Sequence, residues 1–218
     1  MTGAYVFDAY GTLFDVHSAV ARNRDRIGPQ AETLSDMWRM KQLEYTWIRT
    51  ICGAYRDFAS LTAEALDYAA TRCGGIDASV RADLLASYER LEAFADVKPA
   101  LAALKARGAR LAILSNGTSA MLASAIAHAG LDGMFDAVLS VDPLRLYKTA
   151  DAAYALVEQV LGVKPREVSF QSSNRWDVAG AAHFGFRAIW INRAGLPDEY
   201  SDMAPQRILS SLAPLAND

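Results

Sequence analysis

Short apolar runs and longer amphipathic segments follow one another along this chain of 218 residues. The first apolar run, residues 4–7, ends at Asp8, and Gly11 closes the turn that follows. A run this short is typical of a buried strand that stops where a loop begins. Segments 16–27, 34–52, 62–73 and 78–91 then carry apolar residues three and four positions apart. This spacing predicts a block of helices directly after the first strand.

From residue 97 onward the pattern alternates between the periods of helix and strand. Helices are predicted at 99–107, 119–129, 150–161 and 178–184, and strands at 110–114, 137–141, 168–171 and 186–191. Such alternation predicts an α/β fold, a parallel sheet with helices on both faces, and the first strand belongs to the same sheet. The chain therefore divides into a core domain, residues 1–14 and 95–218, and an inserted all-helical subdomain, residues 15–94. The insertion must lie over the strand ends and cover Asp8.

The composition and charge of the chain mainly exclude certain classes of partner. The 25 acidic and 22 basic residues nearly cancel, and no long block of like charge occurs, so neither a nucleic acid nor a membrane surface is indicated as a partner. No apolar stretch approaches the ~20 residues that span a bilayer, and no basic side chain precedes the first apolar segment. We expect a soluble, cytoplasmic protein that acts on a small ligand.

The cysteines and histidines offer no metal site. Cys52 and Cys73 form no Cys-x-x-Cys pair, and His17, His128 and His183 are scattered singly. Zinc sites need these residues at close, regular spacing, so zinc catalysis is not indicated. Both cysteines are interpreted as reduced, buried packing residues, because free cysteine behaves as a small hydrophobic side chain.

Polar residues follow four of the predicted strands, all at one edge of the sheet. Ligands bind beyond the carboxyl ends of the strands in open α/β sheets, so convergence at this edge predicts a site. The polar candidates are Asp8 and Thr12 after the first strand, Ser115 and Asn116 after the second, Lys148 after the third, and Ser172, Ser173, Asn174 and Asp177 after the fourth.

Three of these residues also have a plain structural interpretation. Asp8 is either a nucleophile or a side chain that caps the next element. Ser115 either contributes to an anion site or is the N-cap of a helix. Lys148 taken alone would be a solvated surface lysine, the usual environment of that residue. The convergence of four loops favours the functional interpretation.

Taken together, these motifs resemble the haloacid dehalogenase superfamily and, within it, the L-2-haloacid dehalogenases, over essentially the whole chain. The matching segments are 7–14 (Phe-Asp-Ala-Tyr-Gly-Thr-Leu-Phe), 113–117 (Ile-Leu-Ser-Asn-Gly), Tyr147-Lys148, 172–177 (Ser-Ser-Asn-Arg-Trp-Asp) and, in the insertion, 38–47. The resemblance implies a Rossmann-like core with a helical cap. It also implies an enzyme that converts short L-2-haloalkanoic acids to D-2-hydroxyacids and halide, without cofactor or metal ion, as a homodimer formed through cap helices.

The resemblance further implies a role for each site residue. Asp8 attacks the α-carbon and forms an ester, while Lys148 keeps Asp8 in its charged form. Ser115, with the backbone amides of its loop, holds the substrate carboxylate. The residues that position Lys148 and the hydrolytic water are Thr12, Tyr154, Ser172, Asn174 and Asp177. The halide is received by Arg39, Asn116 and Trp176. The alkyl pocket is lined by Tyr10, Leu43, Phe58 and Trp176.

Two of these assignments compete with plainer interpretations. An arginine on a cap helix, such as Arg39, lies on a solvated face in most proteins. Aromatic residues at helical spacing are more often simple core. The position of Arg39 inside the matching segment 38–47 favours the functional interpretation for that residue.

Two positions separate this chain from the phosphatases of the same superfamily. Tyr10 stands where those enzymes have an aspartic acid that protonates the leaving group, and Ser173 stands where they have an aspartate ligand for Mg²⁺. Mg²⁺ requires hard oxygen ligands, so the loss of this aspartate weakens the case for a metal site. A halide leaves without protonation, so a dehalogenase does not need the missing acid. Dehalogenation is therefore the preferred hypothesis. A metal-dependent phosphatase acting on a small phosphate ester, and a catalytically inactive carboxylate-binding protein, remain alternatives.

Overall fold

The computed structural model describes residues 2–217 and is built on a parallel sheet of six strands in the order β3-β2-β1-β4-β5-β6. The strands are β1 (Ala4–Phe7), β2 (Leu111–Ser115), β3 (Ala137–Ser140), β4 (Val168–Ser172), β5 (Arg187–Ile191) and β6 (Arg207–Leu209). The helices are α1 (Ser18–Arg22), α2 (Arg24–Ile27), α3 (Ala31–Ile51), α4 (Phe58–Arg72), α5 (Ala78–Tyr88), α6 (Val97–Ala106), α7 (Ser119–His128), α8 (Asp151–Leu161) and α9 (Arg175–Phe184). No helix in this part of the chain is long and apolar enough to cross a membrane.

The sheet register brings the predicted loops to one edge. Strand β1 lies between β2 and β4, with Phe7 opposite Ile113 on one side and Gln171 on the other. Parallel strands in this register end at the same level, so the loops after β1, β2 and β4 emerge side by side. The loop after β3, the neighbour of β2, carries Lys148 to the same edge.

Five helices, α1 to α5, lie between β1 and α6 in the chain, and the chain enters and leaves this block at one point. Phe14 pairs with Ala93 in an antiparallel bridge, and Phe94 N donates a 3.1 Å hydrogen bond to Leu13 O. The long helix α3 packs against α4 through buried residues such as Leu34 and Leu61. We propose that residues 15–94 form a cap subdomain over the core, as the sequence predicts.

The structure corrects several predicted boundaries. The helix expected over 16–27 is broken at Asn23, whose Nδ2 donates to Ala19 O at 3.0 Å and so competes with the helical backbone. Helix α9 begins at Arg175, three residues before the predicted start at 178. The prediction missed this first turn because Arg175, Trp176 and Asp177 show no apolar period. The short edge strand β6 was not predicted. Cys52 is exposed at the end of α3, so its interpretation as a buried packing residue is wrong, whereas Cys73 is half-buried against the core.

Candidate active site

Asp8 lies immediately after β1 with a side chain that is held by four hydrogen bonds. Its Oδ1 accepts from Lys148 Nζ at 3.1 Å. Its Oδ2 accepts from Thr12 Oγ1 at 3.0 Å, Asn174 Nδ2 at 2.8 Å and, more weakly, Ser172 Oγ at 3.4 Å. All four donors are side chains and none is a backbone amide, so the interpretation of Asp8 as a cap is wrong. Oδ1, with one donor only, keeps an unused lone pair.

Lys148 is buried between two carboxylates. Its Nζ lies 2.9 Å from Asp177 Oδ2 and 3.1 Å from Asp8 Oδ1, and its side chain is fully shielded from solvent. Burial alone would lower the pKa of Lys148, but the negative charges of Asp177 and Asp8 outweigh that effect and raise it above its ordinary value. Lys148 is therefore a charged, buried residue, and the interpretation as a solvated surface lysine is wrong.

Asp177 occupies the first turn of α9 and is completely buried. Its Oδ1 accepts from Tyr154 Oη at 2.8 Å, while its Oδ2 accepts from Lys148. Burial raises the pKa of Asp177 to about 6, the nearby charge of Asp8 adds to that rise, and Lys148 opposes it. Gly180 leaves room for this arrangement, since a Cβ there would lie 2.5 Å from Tyr154 Oη. Burial thus favours the protonated form of Asp177 more than it is favoured in an exposed aspartic acid.

The first and fourth loops are joined through Thr12. Its hydroxyl donates to Asp8 and accepts a 2.8 Å hydrogen bond from Ser173 N. Ser172 Oγ accepts from Asn174 N at 3.1 Å, which turns the Asn174 side chain toward Asp8. The two loops therefore hold the donors around Asp8 as one unit.

The second loop is folded by Ser115 and closed against Tyr10. Ser115 Oγ accepts from Gly117 N at 3.1 Å. The N-cap of α7 is Thr118, whose hydroxyl accepts from Met121 N at 3.3 Å, so the helix-cap interpretation of Ser115 is wrong. A Cβ on Gly117 would come within 2.6 Å of the Tyr10 ring, which explains the need for glycine there. Asn116 of the same loop contacts the third loop, since its Oδ1 accepts from Lys148 N at 3.0 Å.

Arg39 connects helix α3 to the loops that hold Asp8. Its Nη2 donates to Tyr10 O at 3.0 Å and to Asn174 Oδ1 at 3.1 Å, and its Nη1 donates to Gln42 Oε1 at 2.8 Å. The solvated-face interpretation of Arg39 is therefore wrong. Asn174 donates to Asp8 and accepts from Arg39, so a single side chain links the Arg39 guanidinium to the Asp8 carboxylate.

The four residues predicted to line an alkyl pocket fall into two groups. Tyr10 and Phe58 are buried together, with ring centroids 5.6 Å apart. Leu43 is half-buried beside Arg39 and Trp47, and Trp47 meets Trp176 edge-on at 5.6 Å. A cavity of about 510 Å³ extends from the Trp47–Trp176 pair toward Lys148.

The three residues assigned to the halide come from separate elements. Arg39 lies on α3, Asn116 follows β2 and Trp176 lies on α9. Within residues 2–217, no hydrogen bond or ring contact joins any two of them. Their shared role stays a prediction.

Two buried polar residues near Arg39 escaped the sequence analysis, Gln42 and Tyr88. On α3 the buried positions include Ser35, Trp38, Gln42 and Thr46, spaced as one face of a helix. Polar residues on a buried face are the signal that could have revealed Gln42. Tyr88 carries no such signal, because tyrosine is common in cores.

The donor set at this edge does not suit a divalent cation. Lys148 Nζ occupies the space between Asp8 and Asp177, and Ser173 offers a neutral hydroxyl. No group of three or more His, Cys, Asp or Glu in the described part of the chain is arranged to hold a metal ion. The buried ammonium of Lys148 supplies, between the two carboxylates, the positive charge that a metal ion would supply.

Known proteins resemble this chain in sequence and in fold. The family model for haloacid dehalogenase-like hydrolases matches residues 2–185. The chain belongs to this family. Among the relatives of this haloacid dehalogenase-like hydrolase, the (S)-2-haloacid dehalogenase 4A of Burkholderia cepacia is 46% identical over 97% of this chain and 92% of its own length. The (S)-2-haloacid dehalogenase 1 of Pseudomonas sp. (strain CBS-3) is 47% identical over 97% of this chain and 94% of its own length.

A solved structure gives the same assignment to the fold. The L-2-haloacid dehalogenase from Xanthobacter autotrophicus with chloropropionic acid covalently bound superposes on this haloacid dehalogenase-like hydrolase with a TM-score of 0.89 and 39% identity, over 100% of this chain and 98% of that one. The family resemblance and the α/β fold class predicted from the sequence are confirmed.

Proposed function

We propose that the chain hydrolyses short L-2-haloalkanoic acids to D-2-hydroxyacids and halide. The observation that carries this proposal is the Asp8 carboxylate, with one oxygen beside the buried ammonium of Lys148 and the other held by three side-chain donors. This arrangement orients a nucleophile, and Tyr10 stands where the phosphatases of the superfamily have the carboxylic acid that protonates an alkoxide leaving group. The dehalogenases among the relatives, and the covalent chloropropionate complex of one of them, support the same reaction.

In the first step, Asp8 Oδ1 attacks the α-carbon on the side opposite the halogen. A C–O bond forms, the C–X bond breaks, and its electron pair leaves with the halide. The product of this step is an ester between Asp8 and the substrate, with one inversion at the α-carbon. Lys148 orients the attacking oxygen, and Thr12, Ser172 and Asn174 hold the other.

In the second step, water attacks the carbonyl carbon of the Asp8 ester. The bond from that carbon to the substrate oxygen breaks, so the hydroxyl oxygen of the product comes from Asp8 and the α-carbon keeps its inverted configuration. One water hydrogen ends on the product hydroxyl, and one proton is released as the Asp8 carboxylate is restored. Asp177, held by Tyr154 and Lys148, is the group proposed to orient the water and accept that proton.

The remaining residues are assigned to the substrate. Ser115 and the backbone amides that precede α7 hold the substrate carboxylate, since free amides at a helix start favour anions. Arg39, Asn116 and Trp176 receive the halide. Tyr10, Leu43, Phe58 and Trp176 surround the alkyl group.

Chloride release from each enantiomer of 2-chloropropionate tests this function. We expect release from the L enantiomer only, formation of D-lactate, and full activity in excess EDTA, because Lys148 rather than a metal ion stands beside Asp8. A phosphate ester supplied with Mg²⁺ serves as the control substrate. Phosphate release that requires Mg²⁺ would favour the phosphatase alternative. Carboxylate binding with neither reaction would favour the inactive binding protein.

We also propose that the protein is a homodimer that pairs through α3. Three apolar residues of this helix are strongly exposed, Met40 at 55%, Ile48 at 54% and Ile51 at 80%. They form an apolar stripe, at positions that share a helix face. Such a stripe on a soluble surface is typical of a subunit contact. The family resemblance, which implies a homodimer formed through cap helices, supports a second copy of the chain as the partner.

Light scattering is expected to give twice the chain mass of 23.7 kDa. Ile51→Glu is expected to shift the population toward the monomer, because the charge would be buried in the contact. The matched control is Val160→Glu on α8, where the side chain is 55% exposed. A monomeric wild-type protein, or a dimer unaffected by Ile51→Glu, would contradict this proposal.

A further inference from the structure

Gln42 is a buried side chain whose polar atoms are all paired. It lies on α3 and is 1% exposed. Its Oε1 accepts from Arg39 Nη1 at 2.8 Å and from Tyr88 Oη at 3.0 Å, and its Nε2 donates to Thr62 Oγ1 at 2.6 Å. These bonds link α3, α4 and α5 at one point inside the helical block.

The partners of Gln42 are themselves held in place. Thr62 Oγ1 donates to Phe58 O at 2.7 Å within α4, and Trp38 Nε1 donates to Thr62 O at 2.8 Å. Tyr88 is buried and stacks on Tyr10, with ring centroids 5.7 Å apart and planes 9° from parallel. Gln42 is therefore connected through Tyr88 and Tyr10 to the loop that carries Asp8.

An amide at this position needs a reason, because the buried face of a helix is normally apolar and burying an amide costs free energy unless it is bonded. The reason is Arg39, one turn earlier on the same helix. Arg39 directs Nη2 to Tyr10 O and Asn174 Oδ1, and Nη1 to Gln42. Because guanidinium is planar, fixing Nη1 fixes the plane of the whole group.

We propose that Gln42 is a positioning residue that sets the plane of the Arg39 guanidinium toward the departing halide, and that Tyr88 in turn orients Gln42. This inference rests on the proposed function. Arg39 would stabilise charge that develops while the C–X bond breaks, so Gln42 acts on ester formation and not on ester hydrolysis. Donor direction matters most for the small, charge-dense chloride and least for the diffuse iodide.

The variant Gln42→Met keeps the length of the side chain and removes both hydrogen-bonding functions. We expect ester formation, measured as halide release in a single turnover, to slow about tenfold with 2-chloropropionate and clearly less with the iodo analogue. Ester hydrolysis and KM should change less than about threefold. Tyr88→Phe should give a smaller loss with the same halogen dependence, since it removes one of the bonds that orient Gln42.

The matched control is Gln171→Met, the same change at a fully buried glutamine of β4 whose Nε2 bonds Ser169 Oγ at 2.6 Å. It should alter the melting temperature without a halogen-dependent change in rate. Equal losses for all halogens, or equal losses in ester formation and hydrolysis, would show that Gln42 is merely structural and overturn the inference. If Gln42→Met does not fold, Tyr88→Phe decides in the same way.

Arg39→Lys separates this inference from the proposed function. If Arg39→Lys shows the halogen dependence and Gln42→Met does not, the positioning role is wrong and the proposed function stands. If the wild-type protein releases no halide, the proposed function is wrong. If Arg39→Lys affects all halogens equally, the halide assignment of Arg39 is wrong. In either case the role of Gln42 is wrong as well.

Discussion

Asp8→Asn is expected to abolish dehalogenation while the fold is retained. The amide is nearly isosteric with the carboxylate but is a poor nucleophile, so no ester forms at a useful rate. Removing one negative charge leaves Lys148 paired with Asp177 at 2.9 Å, which keeps the buried ammonium balanced. We expect turnover to fall at least ~100-fold, with the loss in the chemical step and little change in substrate affinity.

Single-turnover halide release measures the chemical step, and quenching of the fluorescence of Trp47 and Trp176 measures binding. Asp132→Asn, at an exposed position far along the chain, is the control for the substitution itself. A variant of Asp8 that keeps more than a few per cent of the wild-type rate would rule out the covalent mechanism.

Lys148→Met is expected to lose at least ~100-fold in activity and to destabilise the protein by about 3–5 kcal/mol near neutral pH. Methionine matches the buried stem of the lysine but leaves Asp8 and Asp177 facing one another with no cation between them. An uncompensated buried charge is the cause of the stability loss. Loss of the group that orients Asp8 is the cause of the activity loss.

The stability loss in Lys148→Met should depend on pH in a defined direction. In the wild-type fold the pKa of Asp177 stands at about 6, above its ordinary value of 3.8. Its protonated form is thus favoured by folding, and that contribution is complete below pH 3.8 and lost as the pH rises through 6. Lys148 opposes this rise, so its removal moves the pKa of Asp177 further up. The difference in melting temperature between variant and wild type should therefore be larger at pH 8 than at pH 5.

Thermal unfolding at the two pH values measures this difference. Lys98→Met, at an exposed lysine of α6, is the matched control and should show no such dependence. A difference that is the same at both pH values, or larger in acid, would show that Lys148 does not compensate the two carboxylates.

The location of the site was predictable from local signals. The apolar run before Asp8, the glycine after it and the later alternation of periods together define parallel strands whose carboxyl ends must share an edge. Thr12, Ser115, Lys148 and Asn174 follow such strands, so their convergence required no knowledge of packing. The apolar period could not show the break at Asn23, which involves a hydrogen bond of a polar side chain, or the first turn of α9, where Trp176 stands between Arg175 and Asp177.

The sequence alone determined which residue types stand at the strand ends. These include Tyr10, in place of the acid of the phosphatases, and Ser173, in place of their metal ligand. Only the tertiary structure decided their energetic state. A lysine is normally solvated, and Lys148 is a buried cation because Asp8 and Asp177, distant in the chain, compensate its charge. The same holds for Gln42, whose burial depends on Arg39, Thr62 and Tyr88. Charge compensation arises from contacts between distant segments. The pattern of hydrophobic and polar residues could place Gln42 on the buried face of α3 but could not give its partners.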